Sequence, residues 1–490
     1  MNVYLLAAAA IAIVLALIGV AWGKKSARKL QRERRIRIDQ FKLKRRHAEI
    51  ELEVFGRPEI VRAVQNYAKE HHVSVEAARA QARKYLQEIV PKFNLLAYYR
   101  IGAPVARAIM HFLYRVVVER KPLRDFNEKA SKGAAVIYVI NHRSNADYVL
   151  VAHMLFKFIS LSYAIGEWAR VWPLNHVFKW FGGYFVRRRY REPLYHAVLS
   201  QFVQTITRHG VTQGVFIEGG LTRDGAFQKP KLGMLDYLVT AKRDPEFTEP
   251  LYIMPTAVNF DRVLEDRNLT EELLGRQERS TKGEKLRNTF DYLFRNFFRG
   301  LFKRFKRYGY AVVSFGHPIS IDDFIREHPS VLSAHFEERK EGLQQLADLV
   351  MSEISHALAV TPVTLVATLF ARKKVLTERE IAEGIDGLRT ELRDRPWLMR
   401  EKTSREIWKA AQFVLSLRHL IVPVEQWKDD LFDEGGVPEI EDAWQWNPSE
   451  HLLRDYYANA LLTFEQVKAR GWPERRHDPK ALAARAAATV

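Results

Sequence analysis

Ala134-Ala135-Val136-Ile137-Tyr138-Val139-Ile140 runs without a charge into Asn141-His142-Arg143-Ser144-Asn145-Ala146-Asp147. A short apolar run rich in β-branched residues, bounded by polar ones, reads as a buried strand. It delivers a histidine, and a carboxylate follows five positions later. Neutral imidazole takes a proton near pH 7 when its ring is held and its developing charge is balanced. One aspartate on the far ring nitrogen does both, as in the serine-protease triad. No serine is needed here, because a hydroxyl on the substrate can be the group activated. Ser144 or Asn145 suits the N-cap of a following helix. Asp147 then falls in that helix's first turn, where the dipole favours the ionised carboxylate. The spacing alone is not distinctive, since His317 and Asp322 repeat it.

Working outward from this stretch, strands are predicted at 136–140, 162–165, 184–186, 214–217, 252–259 and 310–315. Helices such as 193–208 and 234–242 fill the gaps. The alternation predicts an α/β fold, a mixed sheet flanked by helices over residues 126–325. Residues 326–490 read as mostly helical, with Thr377-x-x-Glu380 as a capping box. On the amino-terminal side, 24–125 reads as a basic, helical region, including an amphipathic helix over 95–118. Residues 3–22 carry no charge and are rich in Ala, Leu, Ile and Val. About 20 helical residues at ~1.5 Å each cross a ~30 Å hydrocarbon core. Residues 1–23 are therefore expected to be a single transmembrane anchor. The cluster from Lys24 to Arg37 places the downstream chain in the cytoplasm, against an inner membrane. Phe294, Phe297, Phe298, Leu301, Phe302 and Phe305 form one helical stripe with Arg and Lys opposite, which either packs on the sheet or lies on lipid.

Three further blocks come after His142. Gly182-Gly183-Tyr184-Phe185-Val186-Arg187-Arg188 is a strand opening into guanidinium groups, which bind phosphate bidentately. Val215-Phe216-Ile217-Glu218-Gly219-Gly220-Leu221-Thr222-Arg223 is a strand ending in glycines, whose amides can approach an anion closely. Lys229 and Lys231 lie just beyond. Tyr252-Ile253-Met254-Pro255-Thr256-Ala257-Val258-Asn259 is another β-rich run.

In this order the blocks resemble the glycerol-3-phosphate and dihydroxyacetone-phosphate acyltransferase branch of the glycerolipid acyltransferases, over roughly residues 130–320. Thr361-Pro362-Val363-Thr364-Leu365 is similar to the family's C-terminal region. The resemblance implies that His142 and Asp147 are the catalytic dyad. It also assigns Gly182, Phe185, Arg187 and Arg188 to the second motif, Glu218, Gly219 and Arg223 to the third, and Pro255 to the fourth. Arg187, Arg188 and Arg223, helped by Lys231, would hold the acceptor phosphate, and the amides of Gly219 and Gly220 are candidates for the oxyanion. One position departs from the pattern: Leu221 stands where the family commonly has an arginine.

The net charge of +19 suits an anionic membrane or anionic substrates. No nucleic-acid motif accompanies it. The absence of cysteine excludes disulfides, a thiol nucleophile and a Cys-based metal site. The reading that unites these features is a membrane-bound enzyme acylating the sn-1 hydroxyl of glycerol 3-phosphate, with no cofactor or metal. Acyl-CoA or acyl carrier protein would be the donor. Lysophosphatidate and dihydroxyacetone phosphate are the alternative acceptors, and a membrane-anchored lipid-binding adaptor is the alternative that is not an enzyme.

Overall fold

A computed structural model of the chain describes residues 47–90, 102–119, 121–129, 133–155, 162–165, 183–187, 190–274, 307–427 and 440–471. The strands are β1 (Arg115–Val118), β2 (Ala135–Ile140), β3 (Ser162–Ile165), β4 (Gly183–Phe185), β5 (Gln213–Phe216), β6 (Leu251–Phe260), β7 (Tyr310–Phe315) and β8 (Ile319–Ser320) in one sheet. A second, three-stranded sheet contains β9 (Val375–Thr377), β10 (Ile421–Trp427) and β11 (Ile440–Trp446). The large sheet runs β1-β7-β6-β2-β5-β3-β4, with β8 also on β6. Neighbours β6, β2, β5, β3 and β4 are parallel, while β7 and β8 run antiparallel to β6.

Strand β2 is central and buried on both faces. Ala135, Ile137 and Val139 join a cluster with Ile253, Ala257, Leu199, Phe202 and Leu346. Tyr138 and Ile140 join a second cluster with Met254, Val258, Val151 and Val313. The period of two along each strand thus feeds two cores and makes a three-layer α/β/α body. Helix Pro193–Arg208 covers the first face and carries the amino-terminal helices Pro58–Glu70 and Val75–Ile89 on its back. Helices Ala103–Leu113, Ala146–Leu155 and Pro362–Arg372 cover the second.

Pro255 sits inside this sheet, in register with Val139 of β2. A proline in a central strand lacks a ladder donor. The missing N–H falls on the side where β7 has ended and β8 has not begun, and Gly316 N–H bonds the Pro255 carbonyl there (3.0 Å).

The predicted strands and helices of the core are observed to within two residues. The helix expected over 95–118 is corrected: helical backbone ends at Leu113, and Arg115–Val118 is an edge strand parallel to β7. Three consecutive valines favour a strand, but an apolar run this short does not show which period it follows. The mostly helical reading of the C-terminal region also missed the antiparallel pair β10–β11. Pro423 is tolerated in β10 because that strand is an edge. The Thr377 capping box forms as expected, with Thr377 N–H to Glu380 Oε2 at 2.9 Å and Glu380 N–H to Thr377 Oγ1 at 3.2 Å. The apolar segment 3–22, the basic cluster after it and the Phe stripe lie outside the described residues. Among the described residues no helix is long and apolar enough to cross a membrane.

The C-terminal elements grip the catalytic body through buried polar bonds. Asn259 Nδ2 donates to the Ala359 carbonyl (2.8 Å), and Asp261 accepts from both Tyr310 N–H (2.9 Å) and Val363 N–H (3.1 Å). Arg418 makes a two-point ion pair with buried Asp266 (2.6 and 2.9 Å), and the Tyr457 hydroxyl closes on the same carboxylate. Asn459 Nδ2 donates to the Asp224 carbonyl (2.9 Å). Next to it Gly225 has φ +78, and a Cβ there would lie 1.8 Å from the Tyr456 carbonyl oxygen. Gly225→Ala is therefore expected to cost about 1–2 kcal/mol from backbone strain alone, and more from the displaced helix, measured by urea unfolding. Unchanged stability would mean that the two parts do not meet this closely.

Candidate active site

The first three blocks all lie at the carboxyl ends of parallel strands, the usual place for a site in an open α/β sheet. Strand β2 is tied down on both sides as it ends. The Asn141 side chain copies a backbone pair, donating to the Val258 carbonyl (3.0 Å) and accepting from Val258 N–H (2.7 Å). On the other side His142 N–H donates to Glu218 Oε1 (2.9 Å), and Thr222 N–H donates to the His142 carbonyl (3.1 Å).

Asp147 then closes the loop. Its Oδ2 lies 2.9 Å from His142 Nδ1 and accepts N–H bonds from Arg143 (2.8 Å) and Ser144 (3.0 Å). Both members of the dyad are buried. The carboxylate holds the tautomer with the proton on Nδ1, so the imidazole lone pair is on Nε2. Phe216 stacks on the ring at 4.2 Å between centroids, and Tyr148 meets it edge-on at 5.4 Å. Asp147 is in the first turn of helix Ala146–Leu155, and Ser144 Oγ accepts the Ala146 N–H (3.0 Å), as a capping hydroxyl does. This is an imidazole held by two strands, a helix terminus and an aromatic wall, an arrangement chemically able to accept a proton at Nε2.

Glu218, expected at the substrate, is placed against the backbone of the catalytic motif. Its two oxygens accept His142 N–H and Gln228 N–H (2.8 Å), so it shapes the loop that carries the base. Burial pushes its carboxyl up to about 8. Gly219, at φ +65, turns the chain, and a Cβ there would press on Lys231 Cγ at 3.0 Å. The Gly219 N–H is spent on the Phe216 carbonyl (3.1 Å), and Lys231 N–H returns to the Ile217 carbonyl (2.8 Å). Gly220 is half-buried in the same loop. Leu221 packs against the core. Arg223 is 40% exposed and pairs with Glu272 at 2.7 Å.

Arg187 is engaged away from the dyad. Its Nε and Nη2 form a bidentate pair with Glu88 of helix Val75–Ile89 (2.8 and 2.6 Å), and its guanidinium lies over the Tyr190 ring at 4.7 Å. It comes after β4, three strands from β2, or about 14 Å at ordinary strand spacing. Gly182 and Arg188 lie outside the described residues. His317, 93% exposed, faces Glu353, while Asp322 binds Leu251 N–H and Lys242. That spacing therefore makes no dyad.

Sequence reasoning missed three contributors. Asn141 stood in the quoted motif, but its amide clamp depends on strand order. Glu265 accepts from Ser144 Oγ (2.8 Å), and its carboxyl is pushed up to about 7, chiefly by burial. The Tyr456 hydroxyl reaches the Arg143 carbonyl (3.4 Å) from the far end of the chain. No local signal marks the last two.

Fold and site together define an α/β acyltransferase-type core that carries a buried histidine oriented by an aspartate. The family model "Acyltransferase" matches residues 115–259, and "Glycerol-3-phosphate acyltransferase C-terminal region" matches residues 294–466. A protein named glycerol-3-phosphate acyltransferase from Haemophilus influenzae (strain PittEE) is 28% identical over 352 residues, which is 69% of this chain and 41% of that one. One of the same name from Pasteurella multocida (strain Pm70) is 27% identical over 419 residues, 82% of this chain and 48% of that one. The chain spans less than half the length of these curated relatives. The crystal structure of the 1-acyl-sn-glycerophosphate (LPA) acyltransferase from Thermotoga maritima covers 59% of this chain and 91% of its own, at 16% identity and a TM-score of 0.30. The chain thus carries an acyltransferase domain followed by a region similar to the C-terminal part of glycerol-3-phosphate acyltransferases.

Glu218 and Glu265 both have carboxyls raised above 4.5 in the folded state. The native state thus holds more protons than the unfolded chain, and stability falls as pH rises. Their contribution is complete below about 4.5 and is lost as pH climbs through about 7 for Glu265 and about 8 for Glu218. Glu218→Gln opposes a side-chain N–H to a backbone N–H and is expected to cost about 1–3 kcal/mol. Thermal unfolding from pH 6 to 9 should show a flatter profile for Glu218→Gln than for wild type. Parallel profiles would contradict the raised carboxyl.

Proposed function

We propose that this protein transfers a fatty acyl group from a thioester to the sn-1 hydroxyl of glycerol 3-phosphate, giving lysophosphatidate. The observation that carries the reading is the Asp147–His142 pair, locked at the end of β2 beside the glycine turn of the third block. The matched family models support the acyl-transfer class, and the names of the relatives support glycerol 3-phosphate as the acceptor.

In this mechanism His142 Nε2 takes the acceptor hydroxyl's proton as the oxygen attacks the thioester carbonyl carbon. The imidazolium that forms is balanced by Asp147. The tetrahedral oxyanion collapses, the C–S bond breaks, and His142 returns the proton to the departing thiolate. The donor is acyl-CoA or acyl carrier protein, which both present a phosphopantetheine thioester. Arg223 and Lys231, on the loop next to the base, give the acceptor a basic approach. An exposed pair such as Arg223–Glu272 is weak enough to exchange partners. Residues 3–22 anchor the enzyme in the inner membrane, with the catalytic body on the cytoplasmic side, where long-chain products leave into lipid.

The test is thiol release from palmitoyl-CoA by detergent-solubilised protein, with and without glycerol 3-phosphate. Release should depend on the acceptor, and His142→Ala should cut turnover by about 10²–10⁴. Near-full activity in a folded His142→Ala protein would refute the dyad. Release with lysophosphatidate but not glycerol 3-phosphate would move the enzyme to the next acceptor. No release with any acceptor or thioester donor would favour the adaptor reading.

A further inference from the structure

Ser144 makes more bonds than a helix cap requires. Its N–H donates to Asp147 Oδ2 (3.0 Å), its Oγ accepts Ala146 N–H (3.0 Å), and its hydroxyl donates to Glu265 Oε2 (2.8 Å). The residue is fully buried, so the hydroxyl proton needs an acceptor inside the protein. A hydroxyl rotates to suit its acceptor, and its lone pairs turn with it. With the proton committed to Glu265, the lone pairs face Ala146 N–H, at the start of the helix that carries Asp147. Glu265 is thus two hydrogen bonds from the dyad, through the side chain and then the backbone of Ser144. None of the steps above uses it.

The C-terminal elements decide where Glu265 stands. It comes five residues after β6 ends, directly before helix Asp266–Glu271, and its carbonyl accepts Leu269 N–H (2.9 Å). Tyr457, on helix His451–Ala458, brackets it: the hydroxyl accepts Val263 N–H (3.2 Å) and donates to Asp266 Oδ2. Arg418 grips that same carboxylate and reaches the Tyr457 hydroxyl with Nη1 (3.1 Å). On the far side the Tyr114 hydroxyl holds the Arg262 carbonyl (2.7 Å). The stretch is therefore fixed at residues 262, 263 and 266, and a side chain on so rigid a frame can hold its partner precisely. Burial pushes the Glu265 carboxyl up to about 7, so both of its charge forms are present near neutrality, and an acceptor oxygen is what they share.

We propose that Glu265 is a positioning residue for the His142–Asp147 pair, through which the C-terminal region sets the catalytic loop; the proposal rests on the acyl-transfer reading above. The test uses the full-length protein in detergent as wild type, Glu265→Ala, Glu265→Gln, Ser144→Ala, the double variant Ser144→Ala with Glu265→Ala, and Tyr457→Phe. Two readouts are taken: kcat and KM for thiol release from palmitoyl-CoA with glycerol 3-phosphate, and amide hydrogen exchange over residues 141–150. Glu265→Ala is expected to lower kcat about ten- to a hundredfold by loosening the dyad, with both KM values held within about twofold. Exchange over 141–150 should quicken while residues 343–354, in the helix Phe336–Ala357, keep their protection. Glu265→Gln should recover most of both losses, because its amide oxygen still accepts the hydroxyl proton. The double variant should be no slower than the worse single one, since both substitutions break the same link. Tyr457→Phe should reproduce part of the loss. Ser144→Ala carries the test if Glu265→Ala does not fold.

Unchanged kcat in a folded Glu265→Ala protein would overturn the proposal. So would a raised KM at constant kcat, which would put Glu265 at the substrate, or a Gln variant as slow as the Ala one, which would make charge the operative property. Additive losses in the double variant would show that the two residues act apart, and Tyr457→Phe without effect would remove the C-terminal region from the chain of contacts. Exchange that follows the expected pattern in a protein without acyl transfer to any acceptor would uphold the positioning of the loop while refuting the function proposed above.

Discussion

One carboxylate oxygen organises the site. Asp147 Oδ2 gathers His142 Nδ1 and the N–H groups of Arg143 and Ser144, so base and loop share a single point of attachment. An isolated buried carboxylate would be costly, but several donors on one oxygen offset its lost hydration. The rest of the architecture holds that point still. β6 clamps Asn141, the third block clamps both backbone groups of His142, and helix Ala146–Leu155 carries Asp147 itself. An imidazole fixed from three directions needs little reorganisation to accept a proton, which suits it to the role of base proposed above.

Much of this was legible in the sequence. The apolar runs at β2, β5, β6 and β7 were read within two residues, because strands buried on both faces carry an uninterrupted apolar signal. The pairing of His142 with Asp147 was readable because it is local. Reading failed where the answer depended on distant chain. The three valines of β1 become a strand only because β7 offers an edge, and β9 finds β11 with two helices and β10 between them in sequence. Partners were harder to read than places. Glu218 bonds the His142 loop and Arg187 ties β4 to Glu88, contacts between distant segments that no spacing rule gives.

The C-terminal elements are part of the catalytic body. Val360, Leu365 and Trp408 share one apolar cluster with Tyr138 and Ile140 of β2. Buried Asp261 and Asp266 each hold a piece of the later chain, Val363 in one case and Arg418 with Tyr457 in the other. Breaking such pairs leaves a buried charge uncompensated, so the two halves are expected to unfold together.

The contact of Tyr456 with Arg143 spans 313 positions. At ordinary rates of synthesis, roughly 5–20 residues per second, the ribosome needs on the order of 16–60 seconds to travel that far. Throughout that interval the nascent chain already contains its base but lacks the wall behind it. The order of synthesis therefore leaves His142 and Asp147 without the Tyr456 contact at their backs until nearly the whole chain has been made.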